Sequence, residues 1–405
     1  MSTHLRHDLI IVGAGPVGLA LAVALTRFVP GIAVALVDRR PLSVPRDARA
    51  FALAAGVSGV LDALGVWQGL AAEATPIRRM RITDSGTGDL ARPLFLSFEG
   101  DVAPGRPYAH MVPNTAITEA LLRAAAGITV IAPAEIADWA AGPALATLTL
   151  ADGGSVSAPL IVAADGQNSA LRGMAGIGVI AHDYGQSGLV GTIAHERDHE
   201  FTAYEHFRPA GPFASLPLGG RRSSLVWTER QADAAGIKAK PKAELEAMIE
   251  GAMGSALGAV TLEDHIQAFP LRLQLARSFV GPRLALIGDA AHVVHPIAGQ
   301  GLNLGLKDVA ALAETVIEAM RLGLDHGGPD VLARYERWRR FDTALMAAVT
   351  DSLNRLFSND VAPVRALRDF GLGLVDRLAP LKSALIRQAA AVSGSGPRLM
   401  RGLPL

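Results

Sequence analysis

Three aspartates and two runs of glycine stand just beyond short apolar segments in this 405-residue chain, and these are the places where its chemistry can lie. In residues 284–308, LALIGDAAHVVHPIAGQGLNLGLKD, an apolar run suited to one buried strand ends at Gly288-Asp289. A loop with His295, Pro296, Gly299, Gln300 and Gly301 follows. Apolar Leu302, Leu306, Val309, Leu312, Val316 and Met320 then predict a helix over 302–321. An aspartate at the end of a buried strand accepts hydrogen bonds from sugar or ribityl hydroxyls. Glycines let the backbone approach a ring system closely. The first N–H groups of the helix lie at the positive end of its dipole and suit an anion, such as the N1–C2=O edge of a reduced flavin. Gly-Asp alone would be an ordinary capped turn; two His, two Pro/Gly features and an Asn together are a strange recipe for one.

A second constellation opens the chain. Residues 8–12 (DLIIV) read as a buried strand, Gly13-Ala14-Gly15-Pro16-Val17-Gly18 as a turn, 17–27 as a helix, and 34–37 as a second strand ending at Asp38. This is the dinucleotide fingerprint in its required setting. Gly13, Gly15 and Gly18 allow the tight turn, the approach of a pyrophosphate and close helix–strand packing, and Asp38 would hold the adenosine ribose. The motif does not separate FAD from NAD, and there is only one of it. Residues 160–163 form a third buried run, ending in Ala164-Asp165-Gly166-Gln167-Asn168-Ser169 with Arg172 after it. Taken alone, that is a strand ending in a turn.

The elements that must position these groups follow from length and pattern. The chain is too long for one simple core, so two domains are expected. Half of the residues are apolar and mean hydropathy is +0.29; Lys+Arg and Asp+Glu both number 38, so net charge is zero, which argues against nucleic acid as a partner. The absence of cysteine excludes disulfides, thiolate metal sites and cysteine nucleophiles, and fits a reducing compartment. Residues 9–26 carry no charge, but Gly13, Gly15, Pro16 and Gly18 break the run, so neither a membrane span nor a targeting peptide is expected. No metal site is expected, since His292 and His295 lack a carboxylate pair at ligand spacing; His292 reads as a structural hydrogen-bonding residue. Residues 76–107 alternate, with hairpin turns expected at Ser85-Gly86 and Thr87-Gly88. Strands are expected over 189–194, 203–207, 213–216 and 224–227, helices over 114–126 and 242–253, and mostly helix over 330–391. Tyr335, Trp338 and Phe341 recur at three-residue spacing and read as core. Residues 370–389 are amphipathic and read as packing on their own domain. The tail, 393–405, reads as loosely ordered.

The segment His295-Pro296-Ile297-Ala298-Gly299-Gln300-Gly301-Leu302-Asn303-Leu304-Gly305, with Asp308, resembles the second flavin motif of the group A flavin aromatic hydroxylases, in their ubiquinone-biosynthesis branch. The Asp165-Gly166 motif with Ser169 and Arg172, the Arg-Ala-x-Ala-Leu-like segment from Arg49, and Phe207–Leu218 with Phe269-Pro270-Leu271 are similar to the same family. The resemblance implies an α/β plus α+β architecture. A discontinuous Rossmann-like FAD-binding domain would take residues 1–75, 108–180 and 277–325. A β-rich substrate domain would take 76–107 and 181–276, and a C-terminal helical region 326–405. It implies FAD contacts from Gly13, Gly15, Gly18, Asp38, Arg49, Asn114, Asp165, Asp289, Pro296, Gly299, Gln300, Gly301, Leu302 and Asn303. For Arg49, spacing alone leaves a surface arginine equally open. It implies a monooxygenase that takes hydride from NADH or NADPH and, through a flavin C4a-hydroperoxide, passes one oxygen atom from O2 to the ring of a polyprenylated phenol. Such a lipid implies a cytoplasmic protein in peripheral contact with the inner face of a membrane, or a place in a ubiquinone-biosynthesis complex. An FAD monooxygenase of another aromatic substrate and a flavin-binding assembly protein are the alternatives. No catalytic base is assigned: His110, His182, Tyr184, Tyr204 and His206 stand equal.

Overall fold

The computed structural model describes residues 4–84, 94–254, 256–358 and 396–405. Its centre is a six-stranded sheet in the order Thr129–Ile131, Val34–Val37, Leu9–Val12, Leu160–Ala163, Leu284–Leu286, Val280–Gly281. The first five strands are parallel and the last is antiparallel. LIIV, VALV, LIVA and LAL are fully buried. Parallel strands covered on both faces need such unbroken apolar runs, which is why each was legible without alternation. Val37, Val12, Ala163 and Leu286 stand in register, so the chain leaves all four strands at one carboxyl edge.

Eight α-helices lie among the described residues: α1 (Pro16–Phe28), α2 (Ala55–Ala63), α3 (Asn114–Ala124), α4 (Ala170–Met174), α5 (Gln231–Lys238), α6 (Lys242–Met253), α7 (Gln300–Arg321) and α8 (Pro329–Phe357). Helix α7 starts two residues before the first apolar position of its stripe. Gly299 takes the left-handed conformation (φ 63°) that a tight entry to a helix requires. Helices α1 and α7 meet through glycine: a Cβ on Gly305 would lie 2.6 Å from Val17 Cγ2.

A second, mixed sheet runs Leu94–Glu99, Arg79–Asp84, Thr202–Phe207, Phe213–Leu218, Arg222–Arg230, Val179–His195, Gln267–Ala276, His292–Val293. The 79–84 strand pairs in parallel with 202–207, a contact between segments more than 120 residues apart. The turns expected at Ser85-Gly86 and Thr87-Gly88 lie outside the described residues. One face of this sheet, through Leu189, Ile193, Phe213, Leu225 and Trp227, packs on α5 and α6. The other, through Ala203, Leu216 and Leu218, packs on a three-stranded sheet of Ala50–Ala54, Ala109–Pro113 and Thr75–Ile77.

Two expectations are corrected. The Tyr335, Trp338, Phe341 stripe is not all core: Tyr335 is fully buried while Phe341 is 77% exposed. Three residues turn a helix through 300°, so such a stripe drifts around the axis and leaves the core within two steps. The end of the tail is not loose. Leu399 and Met400 sit in the main core, and Arg398 N donates to Glu314 at 2.6 Å. The amphipathic segment 370–389 lies outside the described residues.

Candidate active site

The shared carboxyl edge assembles the motifs. Gly13 N donates to Val37 O at 2.8 Å, and a Cβ on Gly13 (φ 105°) would lie 2.2 Å from Ala164 O. Gly18 is equally constrained, its Cβ falling 2.0 Å from Gly13 O. A Cβ on Gly15 would instead meet nothing within 4 Å, and the Gly15 backbone caps α1. Two of the glycines therefore permit packing, and the third leaves room beside a helix N-terminus where a phosphate fits. Asp38 Oδ2 accepts from Ala14 N and Oδ1 from Arg40 N, both at 2.8 Å. The carboxylate is held across the turn with lone pairs left for ribose hydroxyls.

On the next strands, Asp165 Oδ2 accepts from Ala170 N at 2.9 Å and caps α4, whereas its buried Oδ1 has no protein partner. Arg172 donates to Gln167 O and Ala290 O, both at 2.8 Å, and so ties the Asp165 turn to the Asp289 turn. Asp289 is exposed, in the turn between buried Gly288 and Ala290 that follows strand Leu284–Leu286. Desolvation pushes its carboxyl above the usual range, against the charges of His292 and Arg49.

Behind that turn lies a buried ionic network. Asp308, fully buried, accepts from Gly288 N at 2.9 Å, His292 Nε2 at 2.6 Å and Arg339 Nε at 2.7 Å. Burial works against its charge, but His292 and Arg339 outweigh it and hold its carboxyl below the usual range. Arg339 also reaches Asp342 at 2.7 Å, and Lys307 joins Asp342 at 3.3 Å. His292 is thus a structural donor. Arg339, on α8, had no local signal in the sequence; only the packing of α8 on α7 reveals it.

The Pro296–Asn303 loop closes onto strand Ala50–Ala54. Asn303 Oδ1 accepts from Ala54 N at 2.9 Å, and its Nδ2 donates to Ala52 O at 2.8 Å and Gly299 O at 3.2 Å. A Cβ on Gly301 would meet nothing within 4 Å. Leu302 lies in the core and Gln300 is buried, so their side chains point into the protein. Buried Asn114 gives Nδ2 to Asp47 Oδ2 at 3.0 Å and leaves Oδ1 without a protein partner. Asp47 also pairs with Arg49 at 2.8 Å. Burial opposes Asp47's charge, yet Arg49 and Asn114 hold it below the usual carboxylate range. Asp47 was missed, although it is two residues from Arg49, because carboxylates before an arginine are common on surfaces. Arg49 itself lies 5.7 Å over the Phe269 ring of the large sheet.

The large sheet's inner face covers this loop, and strand alternation sorts the groups considered as bases. Tyr204 and His206 pair with Ser215 and Phe213, on the face that packs against α5 and α6; His206 Nδ1 bonds Thr83 Oγ1 at 2.7 Å. His110 turns away from the inner face and lies edge-on to Trp67 at 5.0 Å. His182 is exposed. Tyr184 stands edge-on between His182 and fully buried His295, at 5.1 Å from each. Burial drops His295 to about 4.

Among the described residues, no group of three or more metal-ligating side chains converges, and no helix is long and apolar enough to cross a membrane. The open ground beside Gly15 and Gly301, the unpaired Oδ1 atoms of Asn114 and Asp165, and exposed Asp289 at the strand edge suit a long ligand. It would have an anionic middle and hydroxyls on either side, as FAD has.

Comparison with known proteins agrees with this geometry. The family described as FAD binding domain matches residues 6–350. The chain is 44% identical to the ubiquinone hydroxylase UbiL of Rhodospirillum rubrum, covering 98% of this chain and 93% of that one. It is 35% identical to the 3-demethoxyubiquinol 3-hydroxylase of Escherichia coli, over 96% and 99%. Among solved structures, p-nitrophenol 4-monooxygenase PnpA of Pseudomonas putida shares the fold with a TM-score of 0.79 at 18% identity, over 96% and 99%.

Proposed function

The chain belongs to the FAD binding domain family, and from that premise we propose that it hydroxylates the aromatic ring of a polyprenylated phenol in ubiquinone biosynthesis. It is an FAD-dependent monooxygenase, with NADH or NADPH as electron donor. The observation that carries the proposal is convergence. Asp38, the glycine turn, Asp165 and Asp289 leave four adjacent strands at one edge, and the inner face of the large sheet closes over the loop beside them.

In this reading the N-terminus of α1 beside Gly15 holds the pyrophosphate, Asp38 the adenosine ribose, and Asp289 the ribityl hydroxyls. Asn114, Asp165 and Arg49 complete the contacts along the chain of the cofactor. Pro296, Gly299, Gln300, Gly301, Leu302 and Asn303 present backbone to the ring, with the start of α7 toward its anionic edge. Bound FAD, once reduced, activates O2 and supplies the oxygen atom; the protein orients the phenol and keeps water out. Phe341, Leu345 and Val349 recur every four residues on α8 and are 77%, 46% and 45% exposed. That apolar stripe supports peripheral contact with the membrane that would deliver a prenylated substrate.

The test is anaerobic reduction of the FAD-loaded protein by NADH and by NADPH, with and without a phenol carrying one prenyl unit, followed by oxygen and mass analysis. Substrate-accelerated flavin bleaching and a product one oxygen atom heavier are expected. Retained FAD with neither response to any prenylated phenol would reject the proposal. A response confined to soluble aromatic acids would move the substrate elsewhere, and stable binding to other pathway proteins without turnover would favour an assembly role.

A further inference from the structure

We infer that Glu205 takes the proton of the substrate's ring hydroxyl, and that it is therefore the catalytic base of the hydroxylation. The inference rests on the hydroxylase reading above. Glu205 lies between Tyr204 and His206 on strand Thr202–Phe207, so alternation turns it to the inner face while they point outward. It stands opposite Ala214 on one neighbouring strand and Ile82 on the other. Ala203, two residues before it on the same face, shares a cluster with Ala52, whose carbonyl accepts from Asn303 of the loop and whose Cβ would lie 3.4 Å from a Cβ added at Gly299. Phe207, two residues after it, stacks on Phe357 at the end of α8, with ring centroids 3.9 Å apart. Glu205 thus lies on the inner face of the sheet between these two anchored residues, about 6–7 Å along the strand from each.

Its surroundings leave it nothing to bond. Only 8% of Glu205 is exposed, and its carboxylate forms no hydrogen bond or ion pair with described residues, its backbone alone being paired with the neighbouring strands. Its cross-strand neighbours are Ile82 and Ala214, neither of them charged; Asp351 and Arg355 of α8 pair with each other at 2.9 Å. The other buried titratable group of the loop is His295, which burial keeps neutral at physiological pH. Burial alone pushes the Glu205 carboxyl up to about 7. A carboxyl so enclosed and without a protein partner is costly to ionise, and the hydroxyl of a substrate on this face would be a natural partner for it.

The proton moves from the phenolic O–H to a Glu205 carboxylate oxygen, and the O–H electron pair stays on the phenolic oxygen. That raises the nucleophilicity of the ring carbon that receives oxygen from O2 activated at reduced FAD. When that carbon gives up its hydrogen as a proton to water and the ring becomes aromatic again, Glu205 returns its proton to the phenolic oxygen.

The experiment uses full-length, FAD-loaded wild type, Glu205→Gln and Glu205→Asp with a phenol carrying one prenyl unit. Rates of product formation and the ultraviolet difference spectrum of the bound phenol are followed from about pH 5.5 to 9. In wild type a phenolate band and kcat are expected to rise together through an inflection near neutrality. Glu205→Gln should abolish both inflections and lower kcat by about 10²–10⁴-fold with a smaller change in KM; Glu205→Asp should restore part of each. An unchanged phenolate band or kcat profile in a Glu205→Gln protein that retains FAD overturns the inference. If that variant loses FAD, a wild-type phenolate band with no inflection overturns it instead. Wild type that hydroxylates no prenylphenol overturns the hydroxylase reading and this one with it, and is seen before any variant is compared.

Discussion

Glu205 and His295 should impose opposite slopes on stability as a function of pH, and single substitutions should separate them. Glu205 titrates near 7 in the fold against an ordinary 4.5. Between those values the folded state holds more protons than the unfolded one, so its contribution is complete below 4.5 and is lost as pH rises through 7. His295 titrates near 4 against an ordinary 6.5. Its imidazole is fully buried and Nε2 has no protein partner, so here the unfolded state holds more protons. Its contribution is complete above 6.5 and is lost as pH falls to 4. At about 1.4 kcal/mol per pH unit, each group is worth about 3 kcal/mol across its window. The windows overlap between 4.5 and 6.5, where the two slopes nearly cancel in wild type.

Urea denaturation of wild type, Glu205→Gln and His295→Asn at several pH values reads the difference curves, in which all other groups drop out. Relative to wild type, Glu205→Gln should gain about 3 kcal/mol as pH rises from below 4.5 to above 7. His295→Asn should gain a similar amount as pH falls from 6.5 to 4. Either difference curve staying level within about 1 kcal/mol would mean that water or a partner reaches the group, and would refute the burial argument for that residue.

Arg339→Met breaks a buried pair and leaves Asp308 short of one cation, so a loss of about 3–5 kcal/mol and weaker FAD retention are expected; denaturation with flavin fluorescence checks it, and a loss below about 1 kcal/mol would contradict it. Gly18→Ala places a methyl 2.0 Å from Gly13 O, and the forced shift of α1 should weaken FAD binding by about 10–100-fold on titration. Gly173→Ala, with open space around it, is the control, and equal affinity in both would dismiss the packing argument. Phe341→Asp with Leu345→Asp should reduce co-sedimentation with phospholipid vesicles while FAD content is kept, and undiminished pelleting would rule out the stripe as the membrane contact.

The sequence by itself determined the FAD fold, because its information there is local. LIIV, VALV and LIVA are unbroken apolar runs that only buried parallel strands need, and each ends in a Gly/Asp turn whose chemistry is written in two or three adjacent residues. The ubiquinone-branch signature from His295 to Asp308 is likewise one continuous stretch, so helix α7 and its loop were legible down to the supporting role of His292. What only the tertiary structure decided is which side chains share a face across distant segments. Asp308 needs Arg339 from another helix, Asn114 needs Asp47 from another strand connection, and the 79–84 strand joins 202–207 across more than 120 residues. The same applies to the base. Tyr204, Glu205 and His206 are consecutive, and aromatic and imidazole groups drew the sequence reading to the outer two. Period-two alternation gives them one face and Glu205 the other, and which face meets the flavin loop depends on Ala203 packing against Ala52, from a strand some 150 residues away.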